Sequence, residues 1–303
     1  MDTEISTYLT DKWRARINQG GLYNKKARGS VHARGVRGPN KYNFKRNYNV
    51  TWGLNNALLL NQETELQLSM DQKSGSGFES YNHYKSGLFH MRIKLPEKNS
   101  IGIVTAFYLS SPRSAVNDKH DELDFEFLGS NGPTYTLQTN VFVNGQGGRE
   151  QKIKLWFDPT KRFHSYKILW NQFRVMFYVD DIPIRVFKNN AKIGVSYPSK
   201  PMRVIGSLWN PESWASNGIK TDWSQAPFKA KFQDFKIHGC TLQTGGNKNC
   251  HSSKLWWNSK KYQSLNVREQ RVYQNVRRKY MTYDYCSDRS RHPKTPPECR
   301  RNK

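Results

Sequence analysis

The 303-residue chain carries 49 Lys and Arg against 24 Asp and Glu, a formal charge of +25, and 13% of its residues are aromatic. That length suits one ordinary β-sandwich or barrel with a sizeable core, and so basic a surface favours polyanions in general. No zinc-finger spacing or RNP-like aromatic motif accompanies the charge, so nucleic acid is not an expected partner. The opening MDTEISTYLTDKWRARINQGG holds no long apolar run, so neither a signal peptide nor a membrane partner is read there.

Charge is concentrated at the two ends. Residues 1–46 hold 11 basic and 3 acidic side chains and residues 251–303 hold 14 and 4, which leaves only +7 for the middle. Those ends are therefore where an acidic polymer would be held. Residues 1–41 are rich in Gly, Arg, Lys and Asn with little apolar periodicity, and read as a basic arm without a fold of its own.

A second region, 42–239, reads as short strands. Glu65-Leu66-Gln67-Leu68-Ser69-Met70 alternates polar and apolar residues, as does the run Leu88 to Leu95 approximately, and turns rich in Gly and Asn separate such runs. With almost no helical periodicity before residue 240, the pattern predicts an all-β sandwich. The one glycosylation sequon, Asn49-Val50-Thr51, falls in a strand-like stretch.

The segment HDELDFEFLGS, 120–130, carries the chemistry. On a strand Glu122, Asp124 and Glu126 share one face, while Leu123, Phe125 and Phe127 share the core face. Three carboxylates in a row repel one another and serve solubility poorly. Glycoside cleavage, by contrast, needs one ionised and one protonated carboxyl, and crowding like charges separates their pKa values. A solvated acidic strand face and a Ca²⁺ site are the competing readings of the residues alone, although no metal-binding spacing is present.

The third region is 240–303. Cys240, Cys250, Cys286 and Cys299 all fall in it and allow three pairings. Short separations favour Cys240–Cys250 and Cys286–Cys299, and disulfides favour an oxidising compartment. Val272, Val276, Tyr280 and Tyr283 recur at helical spacing and predict one amphipathic helix. Pro293, Pro296 and Pro297 end any helix after it.

HDELDFEFLGS closely resembles the active-site signature of xyloglucan endotransglucosylase/hydrolases in glycoside hydrolase family 16, HDE(I/L)DFEFLG. The resemblance extends over about 47–299, through GSGFES (75–80), VTAFYLSS (104–111), LQTNVF (137–142), LWFDPT (155–160) and YMTYDYCSD (280–288). It implies a curved β-jelly-roll with a C-terminal extension containing a short helix, and a retaining reaction without cofactor or metal. Xyloglucan donor and acceptor chains would be the partners of a secreted, monomeric protein of the plant cell wall or apoplast. Glu122 would be the nucleophile, Glu126 the acid and then the base, and Asp124 the residue orienting the nucleophile. Sugar-binding positions carried over are Gln138, Thr139, Asn140, Gly148, Arg149, Glu150, Ser213, Trp214, Gly218 and Arg291. Each has a plainer reading: Asn140 could satisfy backbone, Trp214 could be core, and Arg291 could pair with Asp288. A noncatalytic carbohydrate-binding wall protein on the same fold is the alternative function.

Overall fold

The computed structural model describes residues 43–302 except 115–117 and 242–248, with only the backbone at Glu212 and Ser213. The expected basic arm, 1–41, lies outside the described residues. Two antiparallel sheets make up the fold. The first runs, edge to edge, β1 (Tyr48–Trp52), β4 (Ser76–Ser80), β13 (Arg203–Trp209), β6 (Val104–Ser110), β7 (Glu122–Leu128), β8 (Thr136–Phe142), β9 (Gln151–Lys154) and β15 (Met281–Asp284). The second runs β12 (Ile182–Lys188), β11 (Arg174–Val179), β10 (His164–Trp170), β5 (Tyr84–Lys94), β14 (Phe228–Thr241), β3 (Glu65–Met70) and β2 (Ala57–Leu60). This is the expected all-β jelly-roll sandwich.

Alternation on β7 decides how the sheets meet. Leu123, Phe125 and Phe127 are buried between them. Phe125 meets Tyr166 of β10 and Phe177 of β11 edge-on at 5.9 and 5.1 Å, and Phe127 meets Tyr166 at 4.6 Å. Aromatic pairs of this geometry contribute about 0.5–1.5 kcal/mol each beyond their buried area. The acidic side chains of β7 are thereby held on the opposite face by rigid packing.

The C-terminal helix, Val267–Tyr280, opens on a capping box: Asn266 Oδ1 accepts from the Glu269 amide at 2.9 Å, and Glu269 Oε2 accepts from the Asn266 amide at 3.1 Å. Arg277, Arg278 and Lys279 in its last turn complement the dipole. Tyr273 and Trp257 pack with Leu169, Met176, Val186 and the Cys240–Cys250 disulfide. The second disulfide joins Cys286 to Cys299. Tyr283 departs from the helical reading. The backbone turns extended at Met281, and Tyr283 instead pairs with Lys152 on β9. Its recurrence in the pattern is coincidental with strand alternation.

Candidate active site

The outer face of the eight-stranded sheet carries a cleft of about 720 Å³ containing Glu122, Asp124 and Glu126. Cross-strand register sets its floor. On β6, Ser110, Tyr108 and Ala106 lie opposite Glu122, Asp124 and Glu126, and on β8 Asn140 and Gln138 lie opposite Asp124 and Glu126. The two small side chains flanking Tyr108 leave space above the carboxylates. Asp121 fixes the start of β7: its fully buried carboxylate accepts from the amides of Asn144, Ser199 and Lys200 at 2.8–2.9 Å.

The electrostatics differ along the strand. Burial, with the charges of Glu122 and Glu126, pushes the Asp124 carboxyl well above the usual range. Burial is also the largest influence on Glu126, with the Glu122 charge adding to it and a bond from Gln138 Nε2 at 2.7 Å opposing it. Its pKa is pushed up to about 7. Glu122 has a cation in reach, for Arg113 Nη2 lies 3.2 and 3.0 Å from its two oxygens. Glu126 is thus poised to donate a proton near neutrality, while Glu122 is held against a guanidinium.

The sequence-predicted binding residues divide into three groups. Gln138, Asn140, Glu150 and Arg291 form a continuous polar wall: Asn140 Nδ2 reaches Glu150 Oε1 at 3.4 Å, and Arg291 binds both Glu150 oxygens at 2.7 and 3.2 Å. Gly148 lies beside Arg291 with φ of +77°. Arg291 gives Asp288 only its backbone amide, so its guanidinium belongs to this wall. Asn140 also satisfies backbone, its Oδ1 accepting from Val141 and Arg149 amides at 2.9 and 3.1 Å.

Two positions point elsewhere. The Thr139 side chain turns to the core face, where Oγ1 accepts from buried Arg185 at 2.9 Å. The guanidinium of Arg149 is occupied by Glu298 at 3.1 Å and by the Gln146 and Val141 carbonyls at 2.7 and 3.2 Å. Both tie β8 to its surroundings from behind. Trp214 is not core, being 40% exposed, and its ring stands 6.2 Å from that of Trp209 on the cleft wall. Gly218, at φ +85°, has open space around it, and the Ser213 side chain lies outside the described residues.

Several cleft residues were not found by sequence reasoning. Tyr108, Trp52, Trp209, Arg203 and Glu79 all line the cleft. The signal for Tyr108 was available in VTAFYLSS, where it shares the non-core alternation with Ala106 and Ser110. Trp52 rests against Gly77, where an added Cβ would lie 2.3 Å from the indole nitrogen, so only glycine admits it. Arg113 sits in a loop and left no pattern to read.

A jelly-roll whose outer sheet face holds alternating carboxyl groups, one raised to near neutrality and one paired with an arginine, defines a glycosidase of the two-carboxylate class. Glycosyl hydrolases family 16 matches residues 44–225, and the xyloglucan endo-transglycosylase C-terminus matches 251–299. The xyloglucan endotransglucosylase/hydrolase protein 2 of Arabidopsis thaliana is 57% identical over 88% of this chain and 92% of its own length. Protein 3 of that name from the same plant is 53% identical, over 88% and 91%. Among solved structures, a prokaryotic β-1,3-1,4-glucanase (lichenase) derived from a mouse hindgut metagenome shares the fold at a TM-score of 0.50 and 23% identity, covering 62% of this chain and 90% of that one. The chain belongs to glycosyl hydrolases family 16, among its xyloglucan endotransglucosylase/hydrolases.

Proposed function

We propose that this protein cuts the β-1,4-glucan backbone of xyloglucan with retention and passes the glycosyl group to another xyloglucan chain or to water. The observation that carries this reading is the opposed state of two carboxyls on one strand: Glu126, pushed up to about 7, and Glu122, paired with Arg113. Glu126 gives its proton to the leaving sugar oxygen while Glu122 attacks the anomeric carbon. Forming that ester removes the Glu122 charge, which is one of the influences raising Glu126. Glu126 is then more acidic and suited to accept the proton of the incoming hydroxyl. Asp124, whose carboxyl burial and the adjacent carboxyls push well above the usual range, orients the nucleophile. Gln138, Asn140, Glu150 and Arg291 offer hydrogen bonds to sugar hydroxyls, and Trp209 and Trp214 offer apolar plates to sugar faces.

The names of the relatives supply the substrate, and plant cell wall outside the membrane is the place of action that follows from it. Basic groups near the chain ends hold the enzyme to acidic wall polysaccharide by charge that salt weakens, with a Debye length of about 8 Å at physiological ionic strength. The test is a chain-length and reducing-end assay on xyloglucan with labelled acceptor oligosaccharide. Binding without either product would make the protein a noncatalytic wall-adhesion module.

A further inference from the structure

The chain leaving β6 is fixed beside the start of β7. The Ser111 amide donates to the Asp121 carbonyl, and Ser111 Oγ accepts from the Asp121 amide, both at 2.9 Å. Pro112 with its restricted φ follows, and Arg113 then reaches back over the cleft. Its Nη2 contacts both Glu122 oxygens, and its Nη1 lies 3.7 Å from Asp118 Oδ2.

The same Nη2 stands 3.1 Å from His120 Nε2. A guanidinium cannot accept a hydrogen bond, so that imidazole nitrogen is the acceptor and the ring proton is on Nδ1. Nδ1 donates it to Asp118 Oδ1 at 2.7 Å. His120 is therefore neutral and brings no positive charge to Glu122, although its Nε2 is 3.9 Å away. The other titratable groups lining the cleft are Asp124, Glu126, Tyr108 and His83, while Arg203 of β13 is paired with Glu79 of β4. Among the described residues, Arg113 is the cation paired with Glu122.

We propose that Arg113 is a positioning residue that acts as counter-ion of Glu122 and hastens release of Glu122 from the glycosyl-enzyme. The inference rests on Glu122 being the nucleophile. In the first step a Glu122 oxygen bonds to the anomeric carbon, the glycosidic bond breaks, and the leaving oxygen takes the Glu126 proton. The carboxylate becomes a neutral ester and Arg113 loses its counter-charge. In the second step the acceptor oxygen bonds to the anomeric carbon and its proton goes to Glu126. The electron pair of the ester bond returns to Glu122, where Arg113 meets the reforming negative charge. A fixed cation there favours the second step over the first.

The experiment compares full-length wild type with Arg113→Ala and Arg113→Lys on a xyloglucan oligosaccharide donor. Rates are followed across pH, and acid-quenched enzyme is weighed intact by mass spectrometry at steady state. For Arg113→Ala we expect kcat to fall at least about tenfold and the glycosyl-enzyme fraction to rise. The loss should fall on kcat, with kcat/KM changed less. Arg113→Lys, which retains a point charge, should recover most of the lost kcat and lower the glycosyl-enzyme fraction again. An unchanged glycosyl-enzyme fraction would overturn the proposal, as would equal losses in kcat and kcat/KM without accumulation. Peptide mapping separates the two levels of inference: sugar on Glu122 supports the underlying assignment, and sugar on another residue overturns both.

Discussion

Gln138 lies directly opposite Glu126 in the β7–β8 register and donates Nε2–H to its Oε2 at 2.7 Å. The bond stabilises the ionised acid, so it opposes the burial that pushes Glu126 up to about 7. In the reading of Glu126 as proton donor, activity should fall on an alkaline limb near pH 7. Gln138→Leu removes the opposing influence and should move that limb upward. A pH profile of kcat/KM checks both, and a limb displaced downward would contradict the assigned direction.

The same carboxyl should cost stability. Because its folded pKa is raised from 4.5 to about 7, the native state binds more proton than the unfolded state between those values, and stability falls as pH rises through that window. Linkage sets the loss at up to roughly 3 kcal/mol above pH 7. Glu126→Gln should therefore melt several degrees higher than wild type at pH 8 and nearly alike at pH 4. Scanning calorimetry at the two pH values checks this, and equal melting temperatures at pH 8 would count against a half-buried Glu126 with a raised pKa.

The roles proposed for the three carboxylates separate them by mutation. Glu122→Gln and Glu126→Gln each remove an ionisable group with little change of shape, and each should nearly abolish turnover while circular dichroism stays native. Burial, with the neighbouring Glu122 and Glu126 carboxyls, pushes the Asp124 carboxyl well above the usual range, and Asp124→Asn keeps its shape. Its loss should be smaller than either Glu variant. Near wild-type turnover in a Glu variant would remove that residue from its assigned step.

Much of this was legible because strand alternation is local. The faces of β7 followed from HDELDFEFLGS alone, and the cysteine pairs from their short separations. What escaped depends on registration between distant segments. Tyr108 and Trp52 enter the cleft through pairings of β6 with β7 and of β1 with β4. Thr139 was carried over with its neighbours Gln138 and Asn140, yet alternation points it toward Arg185. The guanidinium of Arg149 is similarly drawn to Glu298, a partner 149 residues away that no local pattern signals. Tyr283 fitted a helical period but lies past the residue where the backbone turns extended.

The C-terminal extension reaches the polar wall through Arg291 on Glu150 and ties β8 from behind through Glu298 on Arg149, and Cys286–Cys299 closes the loop bearing Arg291 and Glu298. A loop of this length contributes about 3 kcal/mol in the chain-entropy view. The Cys286→Ser/Cys299→Ser double variant should melt lower, and its KM should rise more for acceptor than for donor. Steady-state kinetics with the two substrates varied separately measures this. An equal rise in both would detach the extension from the acceptor side.

The wall formed by Gln138, Asn140, Glu150 and Arg291 also bears on how the glycosyl-enzyme is resolved. A sugar hydroxyl held there beside the ester competes with water through effective concentration, which reaches about 10⁵ M or more in well-oriented intramolecular reactions. Even a small part of that offsets the abundance of water, so transfer to another chain should exceed hydrolysis. Asn140 and Arg291 are coupled through Glu150, and Glu150→Gln keeps its shape while weakening the ionic hold on Arg291. That substitution should lower label incorporation severalfold and reduce the release of reducing ends less, shifting the ratio toward hydrolysis. The measurement feeds xyloglucan with a labelled xyloglucan oligosaccharide and follows both products over time. Steady release of reducing ends with negligible incorporation in the wild type, at saturating acceptor, would establish a hydrolase and reject the preference for transfer.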